Sequence, residues 1–359
     1  MRQLNYTGLS ELQTVGERWT LFRSFGFIAF VLAMFFISAC RKRSPPQDFS
    51  GSISTNPPLM VLKGHTRSVN HVVFSPDGTC LASAGGDGDA TVKIWDSKTG
   101  ELLRTLSGHD NGVYSVVFSP DGKMIASAGH DFTFMLWNAE TGERIRTTKG
   151  ADIHVWGTAF SPDGKRLAVA NGLGVNVWNV ATGSDALTLQ DSQFTTTCVA
   201  FSPDGKCIAA GRHDWTVKVW EATTGRVVQT FRGHQREIWG LAFSPDSQRI
   251  ATASHDHSVK LWDAMTGREV VTFTGHLANV SAVAFSPDGK HVASAGSDLT
   301  VRVWDTSEAR ERFRFSYPPA DPRTANISGV AFSPDGKRLA SCGTDGTIKI
   351  WAVGVSEKQ

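Results

Sequence analysis

Histidine, serine and aspartate recur in this 359-residue chain at spacings that could support chemistry. His65, Ser83 and Asp89 are the residue types of a nucleophilic triad, in which histidine activates a serine hydroxyl and aspartate orients the histidine. Trp95 follows the aspartate by six residues. The number of copies separates a catalytic set from a structural one, because an enzyme needs only one active site.

The set occurs four times, which argues against catalysis. The other three copies are His109, Ser127, Asp131 and Trp137; His234, Thr252, Asp256 and Trp262; and His276, Ser294, Asp298 and Trp304. We expect these residues to be structural, because buried polar groups are tolerated when they satisfy one another's hydrogen bonds. The chain has no P-loop, nucleophile elbow or His-Glu-x-x-His motif. We therefore expect no catalytic residue and no cofactor.

Each set belongs to a longer repeat that determines the fold. The segment Phe-Ser-Pro-Asp begins at Phe74, Phe118, Phe160, Phe201, Phe243, Phe285 and Phe332, and the tryptophans that follow are Trp95, Trp137, Trp178, Trp220, Trp262, Trp304 and Trp351. Short alternating runs broken by Pro-Asp-Gly turns predict β-strands. A single unit would expose both faces of its sheet, so the units must stack and close into a ring.

The chain resembles the WD-repeat family over about residues 59–352, because Gly-His, Ser or Thr, Asp and Trp recur in register. Ser-Pro-Asp-Gly repeats also occur in bacterial propellers of another kind. The Gly-His pairs and the ending Thr91 to Asp96 favour the WD family, with repeats of the bacterial type. The resemblance implies an all-β, seven-bladed WD40 β-propeller in which each complete set is a buried hydrogen-bonded tetrad. It also implies a non-catalytic scaffold for protein or peptide partners.

The repeat also predicts the domain boundaries. We expect a signal peptide or membrane anchor in residues 1–40, a flexible linker in 41–57, the propeller in 58–353 and a C-terminal tail in 354–359. Too few residues follow the last tryptophan to form an outer strand. We therefore expect the N-terminal end of the propeller to supply the outer strand of the last blade, which removes an open sheet edge. We expect the propeller to be monomeric.

Three repeats lack parts of the set. The third has Val169 and Gly172 in place of Ser/Thr and Asp, the fourth has Ser192 and Ala210 in place of His and Ser/Thr, and the seventh has Arg323 in place of His. We expect these three blades to depend on apolar packing.

Aromatic and histidine residues gather where members of the family contact partners. Carried onto this chain, the contact positions with aromatic, histidine or acidic residues are Tyr114, His130, His154, Trp156, His213, Glu237, Trp239 and His255, and Trp215 follows directly after Asp214. Tyrosine and tryptophan are favoured interface anchors, because they bury a large area with few rotatable bonds. We expect partner binding on this face. The alternative, that Trp156 and Trp239 only pack against neighbouring loops, stays open.

The histidines of this face allow a second interpretation. Neutral imidazole is a common metal ligand, so His130, His154, His213 and His255 could form a metal or small-ligand sensor site. They belong to different blades, and we therefore expect no metal ligation. The five cysteines lack paired metal-ligand spacing. A disulfide between Cys198 and Cys207 is left open.

The N-terminal region points to a membrane. Residues 25–40 carry no charge and follow Arg18 and Arg23, a pattern typical of a signal-peptide core. The run ends in Ile-Ser-Ala-Cys, which resembles the bacterial lipoprotein box and implies lipidation of Cys40. We expect a membrane-associated, exported lipoprotein. The basic residues 41–43 favour the alternative, a single-pass anchor with a cytoplasmic propeller.

The charge distribution argues against a nucleic-acid partner. The chain has 36 Lys and Arg against 34 Asp and Glu, and residues 1–58 account for six of the former and three of the latter. The remaining 30 basic and 31 acidic residues leave the propeller close to neutral. Nucleic-acid binding would call for a basic stripe, which this sequence does not show.

Overall fold

The structure is a computed structural model that describes residues 57–149, 154–172, 174–190, 194–317 and 326–353. Within these ranges the chain forms 28 β-strands in seven four-stranded antiparallel sheets, so the expected all-β, seven-bladed fold is confirmed. The described part of the chain contains no helix that is long and apolar enough to cross a bilayer. The predictions for Cys40, Ser192, Arg323 and the two terminal segments fall outside the described residues.

The first three repeats form one blade each, and each blade has four consecutive strands. Blade 1 contains β2 (Val69–Phe74), β3 (Cys80–Gly85), β4 (Thr91–Asp96) and β5 (Leu102–Ser107). Blade 2 contains β6 (Val113–Phe118), β7 (Met124–Gly129), β8 (Thr133–Asn138) and β9 (Arg144–Lys149). Blade 3 contains β10 (Val155–Phe160), β11 (Arg166–Asn171), β12 (Gly174–Asn179) and β13 (Asp185–Gln190).

The remaining repeats follow the same pattern, except that the last blade takes its fourth strand from the start of the propeller. Blade 4 contains β14 (Thr196–Phe201), β15 (Cys207–Arg212), β16 (Val217–Glu221) and β17 (Val227–Phe231). Blade 5 contains β18 (Ile238–Phe243), β19 (Arg249–Ser254), β20 (Ser258–Asp263) and β21 (Glu269–Thr274). Blade 6 contains β22 (Val280–Phe285), β23 (His291–Gly296), β24 (Thr300–Asp305) and β25 (Glu311–Ser316). Blade 7 contains β26 (Ile327–Phe332), β27 (Arg338–Gly343), β28 (Thr347–Ala352) and β1 (Met60–Lys63).

The first strands of the blades close the ring. Each of β2, β6, β10, β14, β18, β22 and β26 contacts the first strand of the next blade, and β26 contacts β2. The hydrophobic core lies between adjacent blades. Leu81 and Trp95 of blade 1, for example, pack with Ala340 and Ile350 of blade 7. Repetition of this packing gives every sheet a neighbour on both faces.

The outer strand of blade 7 comes from the start of the propeller, as expected. β1 pairs antiparallel with β28, and the register runs from Met60 opposite Ile350 to Lys63 opposite Thr347. Leu62 is buried, whereas the neighbouring Val61 is 40% exposed. This alternation places one side of β1 in the core and covers the outer edge of β28.

The Ser-Pro-Asp-Gly segments form the turns between the first and second strands. In blade 1 the hydroxyl of Ser75 donates to Oδ1 of Asp77 at 2.6 Å, and Gly78 has a φ of 72°. Glycine adopts this left-handed backbone without steric cost. We call the end of the ring with these turns the bottom face. The turns between the second and third strands lie at the opposite end, the top face.

The strand register separates the two cysteines considered for a disulfide. Cys198 in β14 lies opposite Gly211, and Cys207 in β15 lies opposite Glu221 of β16. Both cysteines are free. The disulfide left open by the sequence is absent.

Candidate functional site

Four blades contain a hydrogen-bonded set of His, Ser or Thr, Asp and Trp. In blade 1, Nδ1 of His65 lies 3.0 Å from Oδ1 of Asp89, and Nε2 lies 2.7 Å from Oγ of Ser83. The indole Nε1 of Trp95 donates to the same Oγ at 2.8 Å. Each polar group has a partner, so the set is satisfied internally.

Blades 2, 5 and 6 repeat this geometry. The histidines are His109, His234 and His276, the hydroxyl residues Ser127, Thr252 and Ser294, the aspartates Asp131, Asp256 and Asp298, and the tryptophans Trp137, Trp262 and Trp304. We call each set a tetrad. The tetrad distances resemble those of a catalytic triad, but the four hydroxyl residues have no exposed surface. A substrate cannot reach them, so the geometry supports a structural role.

The protonation of the tetrads follows from burial and charge. Burial raises the pKa of the Asp131 carboxyl, but the hydrogen bond and charge of His109, with Thr133 and the backbone N–H of Asp110, outweigh burial and hold the pKa at about 2. Burial also holds the pKa of His276 below its usual range, against the opposing effect of Asp298. At neutral pH the tetrad aspartate is ionised and His276 is uncharged.

In blade 7 a tyrosine replaces the tetrad histidine, which the sequence did not reveal. The hydroxyl of Tyr317 lies 2.8 Å from Oγ of Ser341, and Nε1 of Trp351 donates to that Oγ at 2.7 Å. Nζ of Lys349 lies 3.3 Å from the centre of the Tyr317 ring and donates to Asp345 at 2.6 Å. The expectation that this blade depends on apolar packing is wrong, because tyrosine supplies the missing polar group.

In blade 4 an arginine pairs with the aspartate in place of the tetrad histidine. Ala210 is fully buried, as apolar packing requires, but NH2 of Arg212 lies 3.3 Å from Oδ2 of Asp214. The Arg212 side chain is 4% exposed. An arginine thus neutralises the aspartate that pairs with histidine in the tetrad blades.

Blade 3 combines apolar packing with an amide pair. Val169 is buried, and Nδ2 of Asn171 donates to Oδ1 of Asn176 at 2.9 Å. Trp178 is only half-buried and packs against Phe134 of blade 2 at a ring distance of 5.2 Å. This blade comes closest to the apolar packing that the sequence predicts.

A continuous band of aromatic and imidazole rings crosses the top face from blade 2 to blade 5. The band consists of Tyr114, His130, Phe132, His154, Trp156, His213, Trp239 and His255. The ring centroid of Trp156 lies 4.9 Å from that of Tyr114 and 5.6 Å from that of Trp239, and both pairs have edge-to-face geometry. Trp239 stacks on His255 at 5.2 Å. We call this surface the aromatic band.

The contact between Trp156 and Trp239 passes over blade 4. The two rings come from β10 in blade 3 and β18 in blade 5. The corresponding residue of blade 4 is the small, buried Thr197, whose hydroxyl donates to the backbone carbonyl of Ile238. Aromatic pairs of this geometry contribute about 0.5–1.5 kcal/mol beyond the area that they bury. Because Thr197 is small, Trp156 and Trp239 can meet above blade 4, and the aromatic band continues from blade 3 to blade 5.

Two rings of this face are well exposed. Trp215 is 47% exposed and Phe132 is 40% exposed. Both follow a tetrad-position aspartate and have left-handed backbone, with φ values of 68° and 66°. This conformation is shared by the residues at the same position of blades 1, 5 and 6, which are Ala90, His257 and Leu299. A bulky residue in this conformation costs about 1–2 kcal/mol. Phe132 was missed by the sequence reasoning, although the position after the aspartate, which identified Trp215, would have found it.

The four histidines considered as a metal site do not come together at one point. Nε2 of His130 lies 3.2 Å from Nε2 of His154. His213 and His255 instead contact Trp239. The described residues contain no group of three or more His, Cys, Asp or Glu that could hold a metal ion. A single four-histidine site is therefore not formed.

At the blade 5 end of the aromatic band, His255 lies beside the carboxylate of Glu237. Burial lowers the pKa of His255, although Glu237, whose Oε2 lies 3.9 Å from Nδ1 of His255, opposes this effect. Nε1 of Trp239 and Nε2 of His213 are buried and have no hydrogen-bond partner in the described part of the chain. Each unpaired group costs about 1–3 kcal/mol.

The ring of seven blades with repeated tetrads defines the class of WD-repeat propellers. The WD domain, G-beta repeat model matches six segments, residues 56–96, 100–138, 183–221, 225–263, 267–305 and 320–352. The chain therefore belongs to this family. Within the propeller the longest unmatched segment, residues 139–182, contains the third repeat, which has neither the serine nor the aspartate of a tetrad.

The chain is also similar to short parts of several curated proteins. It is 47% identical over 47 residues to Ribosome assembly protein 4 of Chaetomium thermophilum, 13% of this chain and 9% of that protein. It is 47% identical over 58 residues to Nuclear distribution protein PAC1 of Gibberella zeae, 16% and 12% of the two chains. An uncharacterised WD repeat-containing protein of Synechocystis is 48% identical over 44 residues, 12% of each chain. The matches span about a tenth of these relatives and do not extend beyond one or two repeats.

Proposed function

We propose that this propeller is a non-catalytic scaffold that binds a protein or peptide segment along the aromatic band. Propellers of this family are typical protein-interaction scaffolds. The observation that carries the proposal is the unbroken ring contact from Tyr114 through Trp156 and Trp239 to His255. A large contiguous aromatic surface on a soluble domain is characteristic of a binding site.

The two exposed rings support this role. Phe132 and Trp215 are held on the surface by backbone that would be relaxed with glycine. The same backbone occurs at Ala90, His257 and Leu299, so it belongs to the repeat turn and places whichever side chain follows the aspartate on the top face. A partner that covers these two rings would remove their apolar surface from water and gain the usual stabilisation of about 25 cal/mol per Å².

The chemistry of the band favours an apolar or aromatic segment with free backbone groups. At the blade 5 end burial keeps the imidazole of His255 neutral, and the neighbouring Glu237 pairs with Arg236, so the surface there has little net charge. The unpaired Nε1 of Trp239 can donate a hydrogen bond to a carbonyl oxygen of the partner once the ring shifts.

The proposal is tested by replacing the two exposed rings together, Phe132→Ala with Trp215→Ala, in the full-length chain. A matched control combines Met265→Ala, in a bottom-face turn, with Leu103→Ala, on the outer strand of blade 1; these side chains are 67% and 41% exposed. Quantitative affinity capture from cell membranes and cytosol is compared among the three proteins. We expect specific partners to be lost from the top-face variant and retained by the control. Equal recovery by these three proteins and by a Trp156→Ala, Trp239→Ala variant would refute binding along the band.

We also propose that the propeller is held at a membrane by its N-terminal region. This proposal is supported by the sequence of residues 25–40 and by the resemblance to a lipoprotein box that ends at Cys40. A Cys40→Ser variant is compared with the wild type by membrane fractionation and intact mass. Lipidation predicts release from the membrane and loss of the added mass. Unchanged retention and mass would favour the single-pass anchor.

A further inference from the structure

The second strand of blade 3 begins with an arginine that reaches across to blade 4 at the bottom face. The guanidinium NH1 of Arg166 donates to the backbone carbonyl oxygen of Ala222, which follows the third strand of blade 4. The guanidinium carbon lies 5.3 Å from the centre of the Phe201 ring. Ala222 and Phe201 are buried. A planar guanidinium can stack on an aromatic ring and donate to an oxygen at the same time.

Blade 7 makes the same contact with blade 1. The guanidinium NH1 of Arg338 donates to the backbone carbonyl oxygen of Ser97, and NH2 donates to the Ser97 hydroxyl at 3.3 Å. The guanidinium carbon lies 5.4 Å from the centre of the Phe74 ring. Ser97 and Phe74 are also buried. The repeat therefore provides a guanidinium site between neighbouring blades, made of the first-strand phenylalanine and a backbone carbonyl that follows the third strand.

The same site between blades 1 and 2 lacks its arginine. Cys80 begins β3 at the position of Arg166 and Arg338, and Phe118 and Ala139 of blade 2 supply the ring and the carbonyl. The short cysteine side chain leaves the place of the guanidinium unfilled. Phe118 and Ala139 are partly exposed and, with Cys80, line an open cleft of about 690 Å³. This volume lies within the range of about 300–1,000 Å³ that is usual for ligand sites.

The charge of this cleft favours a cation. The carboxylates of Asp77, Asp121 and Glu140 line it, against the single ammonium group of Lys123. Hydrogen bonds from the turn serines lower the pKa of Asp77 and of Asp121, so both carboxylates are ionised at neutral pH. The surplus of negative charge attracts a positively charged group.

We propose that the cleft between blades 1 and 2 binds the guanidinium group of an arginine side chain from a protein partner. The guanidinium stacks on Phe118 and donates to the backbone carbonyl of Ala139, as Arg166 does within the chain between blades 3 and 4. Glu140 follows the carbonyl directly and supplies a carboxylate to the remaining N–H groups. Because this site lies on the bottom face, it is separate from the aromatic band.

The corresponding place between blades 4 and 5 lacks two of these features. Cys207 begins β15, but the ring of Phe243 is 9% exposed and thus already covered, whereas Phe118 is partly exposed. Met265 stands at the position of Glu140. A cysteine at the start of the second strand is therefore not sufficient, and the uncovered ring and the carboxylate distinguish the cleft of blades 1 and 2.

The test uses the full-length chain and two short peptides, acetyl-Ala-Arg-Ala-amide and its counterpart with citrulline in place of arginine. Citrulline has nearly the same shape but no charge. Titration calorimetry should show one arginine-peptide site per chain and an affinity for the citrulline peptide that is at least about tenfold weaker. Cys80→Arg should abolish binding, because the new side chain occupies the cleft as Arg166 occupies its own site.

Glu140→Lys, in an exposed turn, is a second variant that does not alter the strands. It should weaken arginine-peptide binding by about tenfold or more, since it replaces an attractive charge by a repulsive one. Glu143→Lys is the matched control, because Glu143 belongs to the same turn but does not line the cleft. Its effect on affinity should be much smaller. Far-UV circular dichroism should show that all variants keep the fold.

Three results would each overturn the proposal: no binding of the arginine peptide by the wild type, equal binding of the two peptides, or undiminished binding by Glu140→Lys. The Phe132→Ala, Trp215→Ala variant of the top face should bind the arginine peptide as the wild type does. This comparison makes the result independent of partner binding along the aromatic band.

Discussion

The hydroxyl of Tyr317 takes the place in blade 7 that histidine Nε2 has in the tetrads. It lies 2.8 Å from Oγ of Ser341, compared with 2.8 Å between His109 and Ser127 in blade 2. Both hydroxyl groups also accept the indole N–H of the blade tryptophan, Trp351 or Trp137. The same buried hydrogen-bond requirement is thus met by two different side chains.

We expect Tyr317→Phe to reduce the free energy of unfolding by about 1–2 kcal/mol, because a buried Ser341 hydroxyl loses one of its partners. Urea denaturation followed by tryptophan fluorescence measures the change. Tyr114→Phe is the matched control and removes a hydroxyl from the partly exposed aromatic band. A loss for Tyr317→Phe no larger than that of Tyr114→Phe would show that the Ser341 hydrogen bond contributes nothing.

The ion pair of blade 4 gives a second stability test. Arg212→Ala leaves the Asp214 carboxylate without its cation and removes a side chain that is 4% exposed. We expect the free energy of unfolding to fall by about 2–3 kcal/mol. Arg226→Ala removes a 70% exposed arginine 3.7 Å from Glu221 and should change stability by less than about 0.5 kcal/mol. Similar losses in the two variants would contradict a stabilising role for Arg212.

The tetrads predict a loss of stability in acid. The pKa of Asp131 is about 2 in the folded protein, below the value of about 3.9 for an unfolded chain. The ionised Asp131 carboxylate therefore adds to the free energy of unfolding above about pH 4, and this stabilisation disappears as the pH falls through 2. The lowered pKa of His276 affects the free energy of unfolding at higher pH. Because the unfolded chain binds the proton more readily than the folded protein, stability declines once the pH falls below about 6.5. Urea midpoints measured from pH 8 to pH 2 should decline in these two windows.

Asp131→Asn isolates one tetrad from the others. We expect this variant to be about 1–2 kcal/mol less stable than the wild type at pH 7 and to approach it near pH 2. Asp110→Asn changes the neighbouring exposed carboxylate and serves as the control. A constant difference between Asp131→Asn and the wild type across this range would show that the ionised form is not the stabilising one.

Closure of the ring depends on one side of β1. Leu62→Ala should cost about 2–4 kcal/mol, because Leu62 is buried in the core shared with blade 1. Val61→Ala, at the adjacent 40% exposed position, should have an effect below about 0.5 kcal/mol. If the two variants were equally stable, β1 would not be an integral strand of blade 7.

The sequence predicts the fold well because each repeat carries its own markers. Fixed spacing identified every member of the four tetrads, and those residues lie within hydrogen-bonding distance. The repeat spacing did not identify Tyr317, because this residue precedes Ser341 by 24 residues, whereas His109 precedes Ser127 by 18. Counting back the usual interval from Ser341 points to Arg323 instead. A longer connection can supply the same group from outside the register, and only the three-dimensional packing reveals this.

The candidate site was predicted residue by residue but not as a connected surface. The family positions included Trp156 and Trp239, yet the distance between two alternate blades depends on the radius of the ring and on the small Thr197 between them. The approach of Asp87 to within 3.4 Å of His130 was not predicted, because it depends on the course of a lengthened turn. Individual positions follow from the repeat, whereas their contacts follow from the closed ring.

The pairing of β1 with β28 has a consequence for the order in which the protein is made. A ribosome releases β1 first and β28 last, so the earliest strand of the propeller must wait for nearly the whole chain before it finds its partner. Six blades can form from neighbouring strands as they emerge, but the seventh cannot be completed before the end of synthesis. Until then the unpaired β1 and the face of blade 1 that packs against blade 7 are available to chaperones or to other nascent chains.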